Sequence, residues 1–467
     1  MFDKRTILKN ITWLQTSSIA TNGTSAILGI LVARYLGSYN YGLYASAVVV
    51  SMFFGLFLDF GYSELMVREG SRDQAKIKPY LGSALLSYFL AFGAAYTTMI
   101  FYAWVVGYPR TVILLIVVYG VGAFFTRGLR TWEGLFRVQQ RLDIQAKLEM
   151  SASFLRAAML GAYLWLRLGL MELVSIHAFV SILSFLVYMK IGRSMYKPVF
   201  SFTRTMKQIG PASPFGLSAM LYFVYSQINV FVLSLMVQPD RIGAFAAALR
   251  IITLANELPI IVFNSNLLPL MFITYKTDRQ YLRRLYALSS KYMLGLGVLF
   301  SFFIGFYAKP IVHSIYGRSY EQAFLPLQIL SLCVFLRYLS CGAEATLTAV
   351  DRMKDKVFVQ LSVALVAIVL NVVLIPKYSL LGAALATVIS ETTLLGLLVY
   401  RTGKNFSWLS VVGDLQVHKL ALTGSILLPL ALLAQGRVAD YVAGCLLFVL
   451  ALLILCGSKF FDLRVLR

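Results

Sequence analysis

Charged side chains are scarce in this sequence. Asp, Glu, Lys and Arg make up 13% of its 467 residues, whereas a soluble globular domain has about 25%. Hydrophobic residues account for 59% of the chain. This balance excludes an ordinary soluble enzyme or binding domain. It predicts an all-α integral membrane protein whose helices are runs of about 20 apolar residues.

Ligands for metal or redox chemistry are also few. The four cysteines lie in apolar runs, and the three histidines (His177, His313 and His418) form no i, i+4 pair. We therefore predict neither a disulfide framework nor a metal site. The phosphate-loop pattern G-x-x-x-x-G-K-[ST] is missing, which argues against ATP as the direct energy source. No cofactor is predicted, and coupling to a proton or sodium gradient stays open.

Acidic residues are outnumbered by basic ones, 20 against 42, which gives a formal net charge of +22. The basic residues are spread along the chain, so nucleic-acid binding is a poor interpretation. With the N-terminus inside, roughly three quarters of them fall in cytoplasmic segments, as the positive-inside rule requires. This alternation predicts fourteen spans with both termini cytoplasmic. Their centres are near residues 22, 54, 93, 119, 156, 180, 225, 254, 297, 336, 366, 391, 427 and 447.

Long outside loops are missing as well. None exceeds about fifteen residues, too few for a catalytic domain of ordinary size. The longest inside connection, residues 191–211, divides the chain near its middle. On either side of it a polar turn is followed by a glycine (Gly42 or Gly243) and, two residues later, an aromatic (Tyr44 or Phe245). Both copies cross the membrane in the same direction, so the pattern predicts a parallel repeat.

The repeat and the spans together predict three parts. Residues 1–200 form an N-lobe of six helices, and residues 201–405 form a C-lobe of six helices. The two lobes are a parallel pseudo-repeat around a central cavity, where transporters of this design bind substrate. Residues 406–467 add a C-terminal pair of helices.

Four stretches carry a resemblance to a known family. They are RYLGSYNYGLYASA (34–47), DFGYSELMVRE (59–69), YGRSYEQAFLPLQIL (316–330) and LNVVLIPKYSLLGAALATVISE (370–391). Their order and spacing resemble the O-antigen type polysaccharide flippases, over roughly the first twelve spans. These belong to the superfamily that also contains multidrug exporters and lipid II flippases.

The resemblance implies a transporter rather than an enzyme. Such a protein turns over a polyprenyl-diphosphate-linked oligosaccharide from the cytoplasmic to the outer leaflet, for synthesis of O-antigen, lipopolysaccharide or exopolysaccharide. It implies a multi-pass protein of the prokaryotic inner membrane that works by alternating access. The implied partners are the lipid-linked glycan, membrane lipids, and polymerase and export proteins of the pathway, and we expect a monomer.

Arginines inside predicted spans are candidate substrate ligands. Arg156, Arg250 and Arg337 lie in spans five, eight and ten. Intramembrane charges usually face a cavity or a bundle interior, and Arg binds phosphate through paired hydrogen bonds. The alternative for each is interhelical packing against a carbonyl or an acid.

Acids inside the spans are candidates for charge balance or ion coupling. They are Asp59, Glu257, Glu344 and Glu391. For Asp59 a structural alternative is strong, because the DFG stretch could cap a helix end. Glu344 lies close to the predicted cytoplasmic boundary. Arg250 and Glu257 are seven residues apart, as are Arg337 and Glu344, with the arginine nearer the outside in both pairs.

Span one is rich in polar side chains, among them Gln15 and Asn22. A lipid-facing helix has few such residues, so we expect both to face water or substrate, with helix packing as the alternative. Tyrosines crowd the predicted outer turns, including Tyr316 and Tyr320. The enrichment of Tyr at membrane interfaces favours an interfacial belt over sugar stacking.

Two other functions compete with the flippase. A membrane polymerase, ligase or glycosyltransferase of the same pathway would need a larger outside loop. A cation-coupled multidrug exporter of the sister branch would prefer an acidic cavity, whereas the intramembrane arginines favour an anionic cargo.

Overall fold

A computed structural model describes residues 4–262, 279–349 and 352–403 of the chain, and helices account for nearly all of them. The predicted C-terminal pair, residues 406–467, lies outside these ranges. In chain order the helices are α1 (Lys4–Gly55), α2 (Tyr62–Arg72), α3 (Ile77–Val105), α4 (Arg110–Val138), α5 (Leu142–Trp165), α6 (Leu170–Met195), α7 (Phe202–Met236), α8 (Pro239–Val262), α9 (Arg279–Phe306), α10 (Ala308–Ile315), α11 (Phe324–Ala349) and α12 (Met353–Gly403). Short 3₁₀ segments cover Gln74–Lys76 and Arg318–Ala323.

The described helices are those of a multi-pass membrane protein. Six of them are long and apolar enough to cross a bilayer, or seven if the bent pair Ser290–Phe306 and Ala308–Ile315 counts as one span. The all-helical membrane class is thereby confirmed. The number fourteen and the arrangement in two six-helix lobes stay predictions.

Two of the helices are too long for a single crossing. At 1.5 Å per residue, the 52 residues of α1 would extend about 78 Å, against a hydrocarbon core of about 30 Å. Non-helical backbone interrupts α1 at Gly37 and α12 at Ser379. Near the second break a Cβ on Gly382 would lie 2.2 Å from the Leu374 carbonyl oxygen, so the chain turns sharply there and only glycine fits.

By its contacts the chain separates into two compact units, Met1–Gly243 and Ala244–Arg467. In the first unit α4 packs along α6, and α1 packs along both α4 and α5. In the second, α11 packs along both α9 and α12. The predicted lobe boundary at residue 200 stays a prediction.

The junction between α1 and α2 is seated on α7 within the first unit. Phe60 and Gly61 both have positive φ, 40° and 87°. A Cβ on Gly61 would lie 2.3 Å from the Ala212 carbonyl oxygen, and one on Gly216 would lie 2.6 Å from the Phe60 carbonyl oxygen. Because both contacts involve backbone atoms, the DFG stretch needs its glycine for conformation and for close approach.

The two glycines of the predicted repeat contact each other's segments. A Cβ on Gly42 would lie 1.7 Å from the Pro239 carbonyl oxygen, and one on Gly243 would lie 2.0 Å from the Ser38 carbonyl oxygen. Each glycine therefore packs on the residue four positions before the other.

In the second unit, tyrosine hydroxyls hold α8 in place. Tyr338 of α11 donates to the Ala255 carbonyl at 3.0 Å, and Tyr316 donates to the Ala247 carbonyl at 3.3 Å. Tyr316 and Tyr320 are buried, with ring centroids 5.1 Å apart. The interfacial-belt interpretation is therefore wrong for these two side chains, because they pack inside the protein.

Candidate functional site

A polar cavity of about 340 Å³ lies inside the first unit, between α1, α4, α5 and α6. Its lining residues are Thr21, Ser25, Thr126, Leu129, Glu133, Glu149, Ala152, Ser153, Arg156, Ser181, Ser184 and Tyr188. On α1, α4 and α6 the lining residues are spaced by three, four or seven, and on α5 Glu149 and Arg156 are seven apart with Ala152 and Ser153 between them, so the lining residues of each helix share one face. A continuous polar face toward the bundle interior is the pattern expected where a membrane protein holds water or substrate.

Arg156 supplies the cationic end of this cavity. It lies fourteen residues into α5, about 21 Å along a helix of 24 residues, and so near mid-depth. Its Nε–H is buried and has no hydrogen-bond acceptor among the described atoms. A buried guanidinium N–H without an acceptor costs free energy, so this group favours a ligand that can accept its hydrogen bond. The structure thus places Arg156 on a cavity, as expected of a substrate ligand.

An aromatic stack lies beside Arg156. The rings of His177 and Tyr119 are stacked, with centroids 4.3 Å apart and planes 10° apart. Both side chains are close enough to the Arg156 guanidinium to interact with it electrostatically. A Cβ on Gly122 would lie 2.7 Å from His177 Cδ2. Gly122 therefore leaves the space that the imidazole ring occupies. From the sequence, His177 was weighed only as a metal ligand, and this stack was not predicted.

Two carboxylates form the other end of the cavity. Glu133 lies on α4 and Glu149 on α5, and they are near enough to repel each other. Glu149 accepts a hydrogen bond from Gln145 Nε2 at 2.8 Å. Neither acid was predicted as a site residue. One signal was available, because Glu149 and Arg156 are seven residues apart with the arginine nearer the predicted outside, as in the pairs on α8 and α11.

Arg337 is charge-balanced in the second unit. Its guanidinium lies 3.9 Å from the Glu391 carboxylate, and the two side chains are 9% and 15% exposed. Glu344 adds a second carboxylate that interacts with Glu391. The structure therefore brings together three of the predicted site residues, and it favours the ion-pair alternative for Arg337. Substrate binding by Arg337 stays a prediction.

Asp59 caps a helix. Its carboxylate accepts hydrogen bonds from the Ser63 N–H at 3.0 Å and the Ser63 hydroxyl at 2.6 Å, at the start of α2. The Ser63 hydroxyl also lies 3.2 Å from Thr131 Oγ1 of α4. This geometry supports the structural alternative for Asp59, because a carboxylate that accepts first-turn donors stabilises a helix N-terminus.

The remaining predicted site residues are Arg250, Glu257, Gln15 and Asn22. Arg250 and Glu257 are half-buried on α8, in the part of that helix which Tyr316 and Tyr338 hold by hydrogen bonds. Their roles stay predictions. Gln15 and Asn22 lie on α1, and their side chains lie outside the part of the chain that the structure describes.

Ion pairs tie the predicted cytoplasmic ends of the first unit. Arg141 donates to Asp143 at 3.1 Å, in the turn between α4 and α5. This hydrogen bond lowers the pKa of the Asp143 carboxyl below its usual value. Arg137 lies 3.3 Å from Glu64 and so links α4 to α2. These pairs fix helix ends, and none of their residues lines the cavity.

Comparison with known proteins gives a family match. The family described as polysaccharide biosynthesis protein matches residues 7–275, more than half of the chain. No curated protein matches the sequence.

Solved structures of similar fold are numerous. Lipid II flippase MurJ, in an inward closed conformation, aligns with a TM-score of 0.75 and 18% identity, covering 97% of this chain and 100% of that one. An inward-facing MATE family multidrug resistance transporter aligns with a TM-score of 0.64 and 14% identity, covering 83% of this chain and 95% of that one. A MOP superfamily transporter from Pyrococcus furiosus aligns with a TM-score of 0.56 and 14% identity, covering 84% of this chain and 94% of that one. At these identities the likeness shows the fold, which this chain shares with those transporters. The family match confirms the family inferred from the four stretches.

Proposed function

Because the chain belongs to the polysaccharide biosynthesis protein family, we propose that it is a flippase for a polyprenyl-diphosphate-linked oligosaccharide. It moves this lipid from the cytoplasmic to the outer leaflet by alternating access, for synthesis of a cell-surface polysaccharide. The protein lies in the inner membrane of a prokaryote with both termini cytoplasmic. A proton or sodium gradient is the proposed source of energy.

The observation that carries this proposal is the buried Nε–H of Arg156 in a polar cavity near mid-depth. A guanidinium stays charged at every physiological pH and binds phosphate oxygens through paired hydrogen bonds. A diphosphate therefore supplies the acceptors that Arg156 lacks. The hydroxyl groups around it, on α1, α5 and α6, suit a saccharide.

The orientation follows the distribution of basic residues. In the proposed topology α4 and α6 begin at the outer face, and α5 begins at the cytoplasmic face. Arg156 then lies above Glu149 and Glu133, which are nearer the cytoplasm. Cargo that enters from the cytoplasm passes the carboxylates before it reaches the guanidinium.

A second function, export of cationic compounds, is favoured by those same carboxylates. Glu133 and Glu149 would attract a cation into the cavity. Arg156 at the other end argues against it, because a buried guanidinium repels a cation. Among the described side chains, the cavity suits an anionic cargo with a hydroxyl-rich part better.

The experiment compares cells that lack the gene with cells in which it is restored. Loss of the protein should make a diphosphate-linked glycan accumulate on the cytoplasmic face, and restoration should clear it. Arg156→Ala should leave the glycan accumulated, whereas Arg110→Ala should not, because Arg110 is an exposed arginine at the first residue of α4. Normal glycan export in cells without the protein would refute the proposal.

A further inference from the structure

The charged groups of the cavity in the first unit indicate which class of saccharide it can bind. It has one cationic group, Arg156, and two anionic groups, Glu133 and Glu149. On α5 the guanidinium and the Glu149 carboxylate are seven residues apart, so they lie on one face about 10 Å apart along the axis. The cavity therefore has a positive charge at one end and two negative charges at the other.

The anionic end has hydrogen-bonding groups that the protein leaves unused. Tyr188 is 2% exposed and lines the cavity, and within the described part of the chain its hydroxyl makes no hydrogen bond. Glu133 likewise forms no hydrogen bond or ion pair with a described residue. Two cations lie near Glu133: Arg137, which contacts Glu64 at 3.3 Å, and Arg130, which is exposed. Tyr188 and Glu133 therefore present unused hydrogen-bonding atoms to any ligand in the cavity.

The chemistry of these groups defines that ligand. Ionised carboxylates only accept hydrogen bonds, and a tyrosine hydroxyl both donates and accepts. Neutral sugar hydroxyls and sugar ammonium groups offer the donors that carboxylates need. A sugar carboxylate would meet two like charges, and like-charge contacts in a binding site cost several kcal/mol. Once the diphosphate is at Arg156, the cavity holds no further positive charge among its lining residues to offset such a group.

We propose that Glu133 and Glu149, with Tyr188, select the glycan by its charge. The cavity accepts a lipid-linked glycan whose sugars next to the diphosphate are neutral or bear an amino group. It rejects one whose proximal sugar is a uronic acid. This inference rests on the proposed flippase function and adds the class of saccharide.

The test uses the full chain in vesicles and three probes that share one polyprenyl diphosphate. The proximal sugar is glucose, glucosamine with a free amine, or glucuronic acid. Wild type should move the first two at similar rates and the third at least about 30-fold more slowly, a factor that corresponds to a like-charge penalty of about 2 kcal/mol, the lower end of the expected cost. Equal rates for all three would overturn the selection while leaving the flippase function intact. No movement of any probe would overturn the proposed function itself, and the selection with it.

The variant Glu133→Gln/Glu149→Gln assigns the selection to these side chains. It should bring the glucuronic acid probe to within a few-fold of the glucose probe. The matched control is Glu172→Gln, an exposed carboxylate in the first turn of α6, which should keep the wild-type preference. If the double variant keeps the preference, or binds none of the probes although its thermal unfolding midpoint is unchanged, the proposal is wrong.

Discussion

The pair formed by Arg337 and Glu391 gives a prediction whose size follows from its geometry. The two charges lie on α11 and α12, 3.9 Å apart, and both side chains are largely buried. We consider Glu391→Gln, which keeps the shape of the side chain and removes its charge. The substitution leaves a buried guanidinium without its counter-charge.

The expected cost can be worked from that distance. Coulomb's law at an effective dielectric constant of about 20 gives an attraction of about 4 kcal/mol at 3.9 Å. Desolvation of both charges offsets part of this energy when the pair is compared with apolar residues. It does not offset the loss when one partner is removed, which typically costs about 3–5 kcal/mol. We therefore expect Glu391→Gln to lower the free energy of unfolding by about 3 kcal/mol.

The assay is a double-mutant cycle with denaturant unfolding in mixed micelles. Arg337→Met and Glu391→Gln should each destabilise the protein, and the double variant should recover at least half of the summed loss. The pair Lys309 and Glu321 is the control, because its charges are also 3.9 Å apart but its side chains are 52% and 60% exposed. Its coupling should be near zero.

Additive effects of Arg337→Met and Glu391→Gln would refute the reasoning, since they would show that the two charges do not interact. Transport adds a second readout. We expect the double variant to keep transport, because the pair neutralises itself. Loss of transport in a stable double variant would assign Arg337 to substrate.

Three further predictions concern other parts of the first unit. Gly42→Ala should destabilise the protein by about 1–3 kcal/mol through overpacking, whereas Gly161→Ala, which meets nothing within 4 Å, should be neutral or stabilising in thermal unfolding. Asp59→Ala should cost about 1 kcal/mol of unfolding free energy, because α2 loses its capping carboxylate. Asp143 has a lowered pKa, so its stabilisation is present above about pH 4 and is lost as the pH falls further. Arg141→Ala should weaken that acid-side dependence of the unfolding midpoint.

The fold class and one cavity residue were predictable from the sequence. Low charge, long apolar runs and the order of four short stretches indicated a helical membrane protein of the polysaccharide biosynthesis family. Arg156 could be predicted to line a cavity because it is a single arginine in an apolar run, and lipid tolerates a charge only where it is paired or hydrated. These features depend only on neighbouring residues, so they can be recognised from composition and spacing.

What escaped prediction depends on tertiary contacts or on helix length. Helix α4 extends beyond the 20 residues expected of a span, and Glu133 lies in this extension. Glu149 lies within predicted span five, but the sequence does not show that its side chain and Glu133 line one cavity. The partner of Arg337 lies 54 positions along the chain and is adjacent only because α11 packs on α12. The burial of Tyr316 was not predicted, because it depends on contacts with α8, which lies far from it in sequence.

The central claim is tested most directly by the rate at which the purified chain moves a neutral polyprenyl-diphosphate glycan across a vesicle membrane. Wild type should move it well above the rate in protein-free vesicles. Arg156→Ala should reduce that rate at least about tenfold, as loss of a charge-assisted hydrogen bond does, and Arg156→Lys should restore part of it. Movement by wild type no faster than in protein-free vesicles would contradict the account.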